Sequence, residues 1–488
     1  MLIIQYGILA TLAISLLLGL IGNRFIHGKV ENFFVAGRKV SFPLVGFALF
    51  AQAVDGNATI GQTTLAYNSG FWAGAAYPIG LSLSLFLLGK FFAQKLNAMK
   101  LLTLADFFKR NYNRKIEFIA SILMLFSFSL LLAGNISAIS FILQMTFDWT
   151  YQSSVIIITF IILGYCIAGG IISDMVSDIF QILIFLLGFF LVIFFIIQEY
   201  GLTTLLISSP LPSWSLNQLF MLKEGAFINW STIIALGFGN LLAADFASRI
   251  FSAKSPSDAK KGCYISSVLT LLIGLPFAML PVFISKAGVD NTSNFPVLID
   301  FLVNGVPVGT SIYVICGLIA MSMSTIDGGL LSMGNILSKN ILQAQEGGDA
   351  SFIYFTRLAI LPVAAFGIIA AILLPQPGVL LTVAFDIMFS SLLVPFVAAF
   401  YINNISEKAA LSAILTGGVS RLIFAILTPT SYGVQNTYLY IPNPILPHSF
   451  DGLGTLISPL LALIIFIYVQ FKHRTSILKL TIKEEQFS

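Results

Sequence analysis

Hydrophobic positions in this chain fall into long, nearly unbroken runs, separated by short stretches rich in Gly, Pro, Asn and charge. Neither the alternation of a half-buried strand nor the single apolar stripe of a soluble helix describes them. Runs of about 18 or more apolar residues read as membrane-crossing helices. The pattern predicts thirteen spans, at 3–22, 43–67, 72–94, 116–146, 152–171, 178–198, 229–251, 263–285, 309–338, 354–374, 379–402, 408–429 and 452–471. The first run lacks a basic segment before it and has the length of a full span, so it is expected to be a retained helix and not a leader.

Composition sharpens the picture. Of 488 residues, 57% are hydrophobic and 9% charged, against about 25% charged in a soluble domain. A water-soluble protein is excluded, and so is a large catalytic domain outside the membrane. The chain is expected to be an all-α integral membrane protein of about thirteen transmembrane helices, embedded in the lipid bilayer of the cell (plasma or inner) membrane. The net charge of +4 is not a nucleic-acid footprint, because cations in a membrane protein first set orientation. With the amino terminus outside and the carboxyl terminus cytoplasmic, every Lys and Arg except Lys223, Lys286 and the intramembrane Arg421 falls on the inner side.

Other chemistries find little support. Cys166, Cys263 and Cys316 sit inside apolar stretches as packing residues, and His27, His448 and His473 are scattered without a second ligand at metal spacing. Neither a phosphate-binding loop nor a dinucleotide glycine fingerprint is present. No enzyme activity and no cofactor are expected; energy for uphill work must come from an ion gradient.

Polar groups interrupt three spans. In the second, Ala51-Gln52-Ala53-Val54-Asp55-Gly56-Asn57-Ala58-Thr59-Ile60-Gly61-Gln62 places an acid, glycines and amides at mid-membrane depth. Gly and Asn are poor helix interiors, and an ionised Asp facing lipid costs several kcal/mol. A broken helix is tolerated there only inside protein or beside a cavity. The expected role is an unwound segment that binds an ion and a solute, with a capped kink as the plainer reading. The seventh span repeats the interruption at Gly237-Phe238-Gly239-Asn240, followed by Asp245 and Arg249 on one helix face. Paired discontinuous helices point to the central site of a transporter. Solute contacts are therefore expected from Asp55, Asn57, Thr59 and Gln62 on one side and Phe238, Gly239 and Asn240 on the other. The ninth span carries Met321-Ser322-Met323-Ser324-Thr325-Ile326-Asp327, where hydroxyls beside an acid suit a hard monovalent cation. Asp178, after Gly169-Gly170, is either a helix cap or part of an ion path. Asp386 and Arg421 are two further intramembrane charges, which the sequence cannot pair.

In order along the chain, Ala36-Gly37-Arg38, Gly169-Gly170 with Asp178 and Gln181, Arg249-Ile250-Phe251-Ser252-Ala253-Lys254-Ser255, and Ser324-Thr325-Ile326-Asp327 resemble the sodium:solute symporters. Tyr67, Pro78 to Leu85 and Phe91-Phe92-Ala93 are most similar to the choline-transporter branch, although Ala53 and Ala243 stand where choline carriers place tryptophans. The resemblance implies a leucine-transporter-type core of five plus five helices in inverted repeat, with discontinuous helices 2 and 7. The expected divisions are 1–42 for the first helix and its loop, 43–198 for the first repeat and 199–228 for an outer loop. The second repeat then covers 229–402, two more spans 403–471, and a short cytoplasmic tail 472–488. It also implies a sodium site from the carbonyls of Ala53, Gly56 and Met321 and the hydroxyls of Ser324 and Thr325, with Asp178 on the inward exit path. The function expected is sodium-coupled symport of a small polar organic solute by alternating access, an amine-bearing zwitterion or cation being favoured by Asp55. Proton-coupled symport on the same fold and a non-transporting solute sensor are the alternatives.

Overall fold

The computed structural model describes residues 1–22, 24, 28–201, 214–288, 295–344, 348–437 and 439–487. His27 and part of the expected outer loop, 202–213, lie outside them.

The apolar runs become helices that start where the sequence supplies caps. Asn113, Thr150, Ser255 and Ser406 each accept a hydrogen bond from a first-turn amide with their side chains, satisfying donors that a helix start leaves open. The principal helices are α1 (Leu2–Gly22), α2 (Phe42–Ala53), α3 (Gly56–Ser69), α4 (Phe71–Leu87), α5 (Arg114–Phe147), α6 (Tyr151–Ile167), α7 (Gly169–Tyr200), α8 (Ala226–Gly239), α9 (Ala244–Ser252), α10 (Pro256–Lys286), α11 (Val308–Ile336), α12 (Asp349–Leu373), α13 (Val379–Tyr401), α14 (Glu407–Leu427) and α15 (Leu453–Phe487).

Among the described residues, ten helices are long and apolar enough to cross a membrane, or eleven when α8 and α9 count as one span bent by 47°. The ranges 43–67 and 152–171 hold only shorter apolar helices, so the expected thirteen full spans are not all present as single long helices. The reason is local: Val54 and Asp55 leave helical geometry between α2 and α3, and the chain kinks at Gly170, in the first turn of α7. Helix continues through 172–177, between the expected spans 152–171 and 178–198, and the kink falls instead at Gly170 (φ 62°). A side chain there would meet the Phe33 ring at 2.7 Å, so glycine is required both for the backbone angle and for the space. The expected tail at 472–488 is not a separate segment either; α15 remains helical to Phe487.

At the centre lies α11, buried along its length, with α1, α5, α7 and α12 around it. Outer faces are apolar: Phe160, Leu183, Phe190, Phe194, Phe366 and Ile464 are each exposed, as lipid contact requires. The basic loops gather at one end of the bundle. There Arg38 donates to the carbonyls of Lys100 (3.0 Å), Leu101 and Phe251, and Lys339 meets Asp106 at 2.5 Å. Asn340 joins that cluster by donating to Asp106 (2.8 Å) and Glu117 (2.7 Å). These contacts tie five loops and helix ends together on the side where the charge pattern put the cytoplasm.

Candidate functional site

The break between α2 and α3 frees backbone oxygens by diverting their donors. In a continuous helix the amides of Gly56, Asn57 and Ala58 would bond the carbonyls of Gln52, Ala53 and Val54. Instead Gly56 N–H donates to Ser322 Oγ (3.0 Å), Asn57 N–H to Asn135 Oδ1 (3.4 Å) and Ala58 N–H to Asp55 Oδ1 (2.7 Å). Three side chains thus replace three carbonyls as acceptors, and the carbonyls are left without their helical partners at the end of α2. Gly56 is needed for this approach, since a Cβ would sit 2.2 Å from Ser322 Oγ.

Facing that end is α11. Gln52 Nε2 donates to Ser324 O (3.1 Å) and to Ser324 Oγ (2.9 Å), and Ser324 Oγ donates to Asp178 Oδ1 (2.5 Å). Thr325 Oγ1 lies 3.4 Å from both Ala51 O and Met321 O, long for a hydroxyl bond. The structure therefore brings Ser324, Thr325, Met321, Gly56 and Asp178 around the end of α2, with Thr325 opposite the Ala51 carbonyl and not that of Ala53. Asp178 is not a helix cap: it lies two turns inside α7, bound to α11.

Charges cluster beside this group. Arg249, fully buried, forms an ion pair with Asp174 and approaches Asp178 at 3.8 Å. Its expected partner Asp245, on the same face of α9, offers only its carbonyl, at 3.4 Å. The pairing crosses from α9 to α7 because Gly328 leaves room for the guanidinium, whose nitrogens would stand 2.6 and 2.7 Å from a Cβ at that position.

The expected solute residues fall into separate groups. Asp55 caps α3 and accepts from Asn135 Nδ2 (2.6 Å). Asn57 Oδ1 accepts from Gly378 N–H (2.6 Å), while Asn57 Nδ2 and Thr59 Oγ1 are buried with no partner among the described residues. Gln62 turns to α10 and donates to Gly274 O (3.0 Å). The second break lies slightly later than expected: Gly237 and Gly239 are helical, and the chain turns at Asn240–Ala243. Phe238 packs on Phe389 of α13 at 6.1 Å, Gly239 lies against Phe385, and Asn240 bonds back to Leu236 O (2.8 Å). Sequence reasoning missed Asn135, Gln52, Asp174 and Gly378. Asn135 is an amide inside an otherwise apolar helix, the same signal that singled out Asn57. Asp174 stands four residues before Asp178, one turn away on the same face.

At the end opposite the basic loops, the 374–378 segment is pressed against α3. A Cβ on Gly61 would stand 2.3 Å from Gly378 Cα, and a cavity of ≈ 320 Å³ lined by Ile60, Thr64 and Gln376 lies outside this contact. Gly61→Ala is expected to push the segment away and open the path toward Asn57. Labelling of an Ile60→Cys variant by a membrane-impermeant maleimide should then rise several-fold; unchanged labelling would show that the contact is no barrier.

Residues 33–417 match the family model described as the Sodium:solute symporter family. The chain is similar to the high affinity choline transporter 1 of Homo sapiens (22% identity; 84% of this chain, 75% of that one). It is also similar to the sodium/glucose cotransporter of Vibrio parahaemolyticus (23%; 84% and 82%). Among solved structures, that of a substrate-bound, outward-open Na+-coupled sialic acid symporter superposes with a TM-score of 0.68 at 18% identity, covering 95% of this chain and 96% of the other. The architecture is the leucine-transporter type, an inverted repeat of five plus five helices with discontinuous helices 2 and 7.

Proposed function

Because the chain belongs to the sodium:solute symporter family, we propose that it takes up a small polar organic solute together with sodium by alternating access, the repeats being 43–198 and 229–402. It is a multi-pass membrane transporter and not an enzyme. Sodium is cargo, held between the end of α2 and α11 by the carbonyls of Ala53, Gly56 and Met321 and the hydroxyls of Ser324 and Thr325, and it leaves toward the basic loops by way of Asp178.

The observation that carries this reading is the diversion of three amides at the α2–α3 break, which leaves the carbonyls of Gln52, Ala53 and Val54 without their helical donors at the end of α2 that Ser324 and Thr325 face. Spacing supports it. Oxygens about 2.4 Å from one hard cation and at right angles lie about 3.4 Å apart, the separation of Thr325 Oγ1 from the Met321 carbonyl. The solute would sit between α3 and the α8–α9 break, bounded by Asp55, Asn57, Thr59, Gln62, Phe238, Gly239 and Asn240. In the described conformation Asp55, Gln62 and Phe238 each contact a different neighbour, Asn135, Gly274 and Phe389 respectively. Asp55 favours an amine-bearing zwitterion or cation, in keeping with the choline-transporter relatives. With the amino terminus outside, uptake runs down the sodium gradient, and each charge moved gains about 2.3 kcal/mol per 100 mV.

Proteoliposomes loaded with potassium and diluted into sodium should accumulate one of a panel of radiolabelled amines, choline and proline included. Replacement of external sodium by potassium should abolish accumulation. Uptake that persists without sodium and follows a proton gradient would replace this reading with proton-coupled symport.

A further inference from the structure

A second cavity lies at the rim of the bundle. Helices α5, α13 and α14 together with Ser431, Asn436 and Leu439 enclose ≈ 440 Å³, within the usual range of about 300–1,000 Å³ for small-molecule sites. Its walls are mainly apolar, and Phe126, Leu422 and Leu439 at its mouth are each more than half exposed, so it opens where the outer faces meet lipid. Its polar end is an ion pair, Arg421 Nε donating to Asp386 Oδ2. Thr455 Oγ1 donates to the same oxygen at 3.0 Å. Asp386 is only 1% exposed, and among the described residues nothing donates to its other oxygen, Oδ1. Ser391 Oγ, also lining the cavity, is buried and likewise without a partner.

Intramembrane charges are retained where something compensates them, and a buried acceptor left without a donor is costly. We propose that this cavity binds an uncharged, hydroxyl-headed amphiphile drawn from the bilayer, whose hydroxyl donates to Asp386 Oδ1 and whose apolar body lies against Leu123, Leu130 and Leu422. The choice of head follows from charge. The Arg421–Asp386 pair is neutral as a unit, so a carboxylate or phosphate head would confront Asp386 and an ammonium head would confront Arg421. A hydroxyl both donates and accepts, and adds no charge. An occupant here touches α13, the helix that begins at the Gly378 contact with Asn57 and carries Thr382, hydrogen-bonded to Tyr77 (3.0 Å). It would therefore brace the element that closes the end opposite the basic loops.

The test needs neither sodium nor solute, so its outcome is independent of the transport reading. Purified full-length protein is titrated in neutral detergent with monoolein, cholesterol, oleic acid or oleylamine, and bound copies are counted by native mass spectrometry. One saturable site is expected for monoolein or cholesterol, the preferred one telling whether a flexible chain or a rigid ring system fits. Oleic acid and oleylamine should bind at least tenfold more weakly. Ala425→Phe, which fills the cavity and leaves the ion pair intact, should abolish the saturable site, and Asp386→Asn should weaken it. Equal binding of all four heads, saturable binding unaffected by Ala425→Phe, or no saturable hydroxyl-headed adduct would each overturn the proposal.

Discussion

Replacing Arg249 by methionine is expected to prevent accumulation of folded protein or to lower its thermal midpoint more than any other single substitution considered. The guanidinium is completely buried, paired with Asp174 and 3.8 Å from Asp178. Its loss leaves two carboxylates in the bundle interior with no cation, and breaking a buried pair from one side costs about 3–5 kcal/mol. That is a large part of the roughly 5–15 kcal/mol that holds an ordinary domain together. Asp174→Asn should be milder, because Arg249 keeps Asp178 close by. The double variant Arg249→Met with Asp174→Leu should recover part of the loss, since it removes the stranded charge along with its partner. Fluorescence-detected size-exclusion after heating checks the order. A wild-type midpoint for Arg249→Met would refute the account of the cluster.

The second large effect is expected on sodium and not on folding. Thr325→Ala and Ser324→Ala each delete a hydroxyl that faces the end of α2, and each should raise the sodium concentration for half-maximal uptake by at least about tenfold. Even residues one step removed from a metal change its affinity by about 10–100-fold. The two should differ in one respect. Ser324 Oγ also links Gln52 to Asp178, so Ser324→Ala removes two hydrogen bonds and should lower stability as well, while Thr325→Ala gives up only long contacts of 3.4 Å. Sodium-dependent thermal stabilisation of the purified variants separates the cases, because a ligand stabilises in proportion to the logarithm of its concentration over its dissociation constant. Full sodium stabilisation in both variants would remove the hydroxyls from the site.

Much of the candidate site's local geometry was legible in the residues because the signals were local. Asp55, Gly56 and Asn57 are poor helix formers in a hydrocarbon setting, and the chain breaks there. Ser324 and Thr325 stand out as adjacent hydroxyls on an apolar helix, and the structure turns them toward that break. Where local signals were ambiguous the reading went astray. The span bounds 152–171 and 178–198 left 172–177 between helices, yet a single glycine at 170 accomplishes the turn and the following residues continue the helix, which moves Asp178 from a cap position to the interior. Arg249 and Asp245, four apart, looked like natural partners, but the guanidinium crosses to Asp174 on another helix. Asn135 went unnoticed because one amide in a long apolar helix carries no message until its neighbour is known.

The sequence by itself determined which segments are apolar enough for helices of membrane length, that the helix interrupted at Asp55 breaks there, and approximately where a second one does. Each of these depends on the transfer cost and helical preference of residues within one turn of each other. Only the tertiary structure decided which charge meets which, which carbonyl faces Thr325, and that Asp386 and Arg421 share a cavity. Such pairings depend on how each helix is rotated about its own axis. In the long helices that are apolar nearly all round, such as α5, no stripe of hydrophobicity fixes that rotation; the packing of small residues such as Gly56 and Gly328 against particular neighbours does.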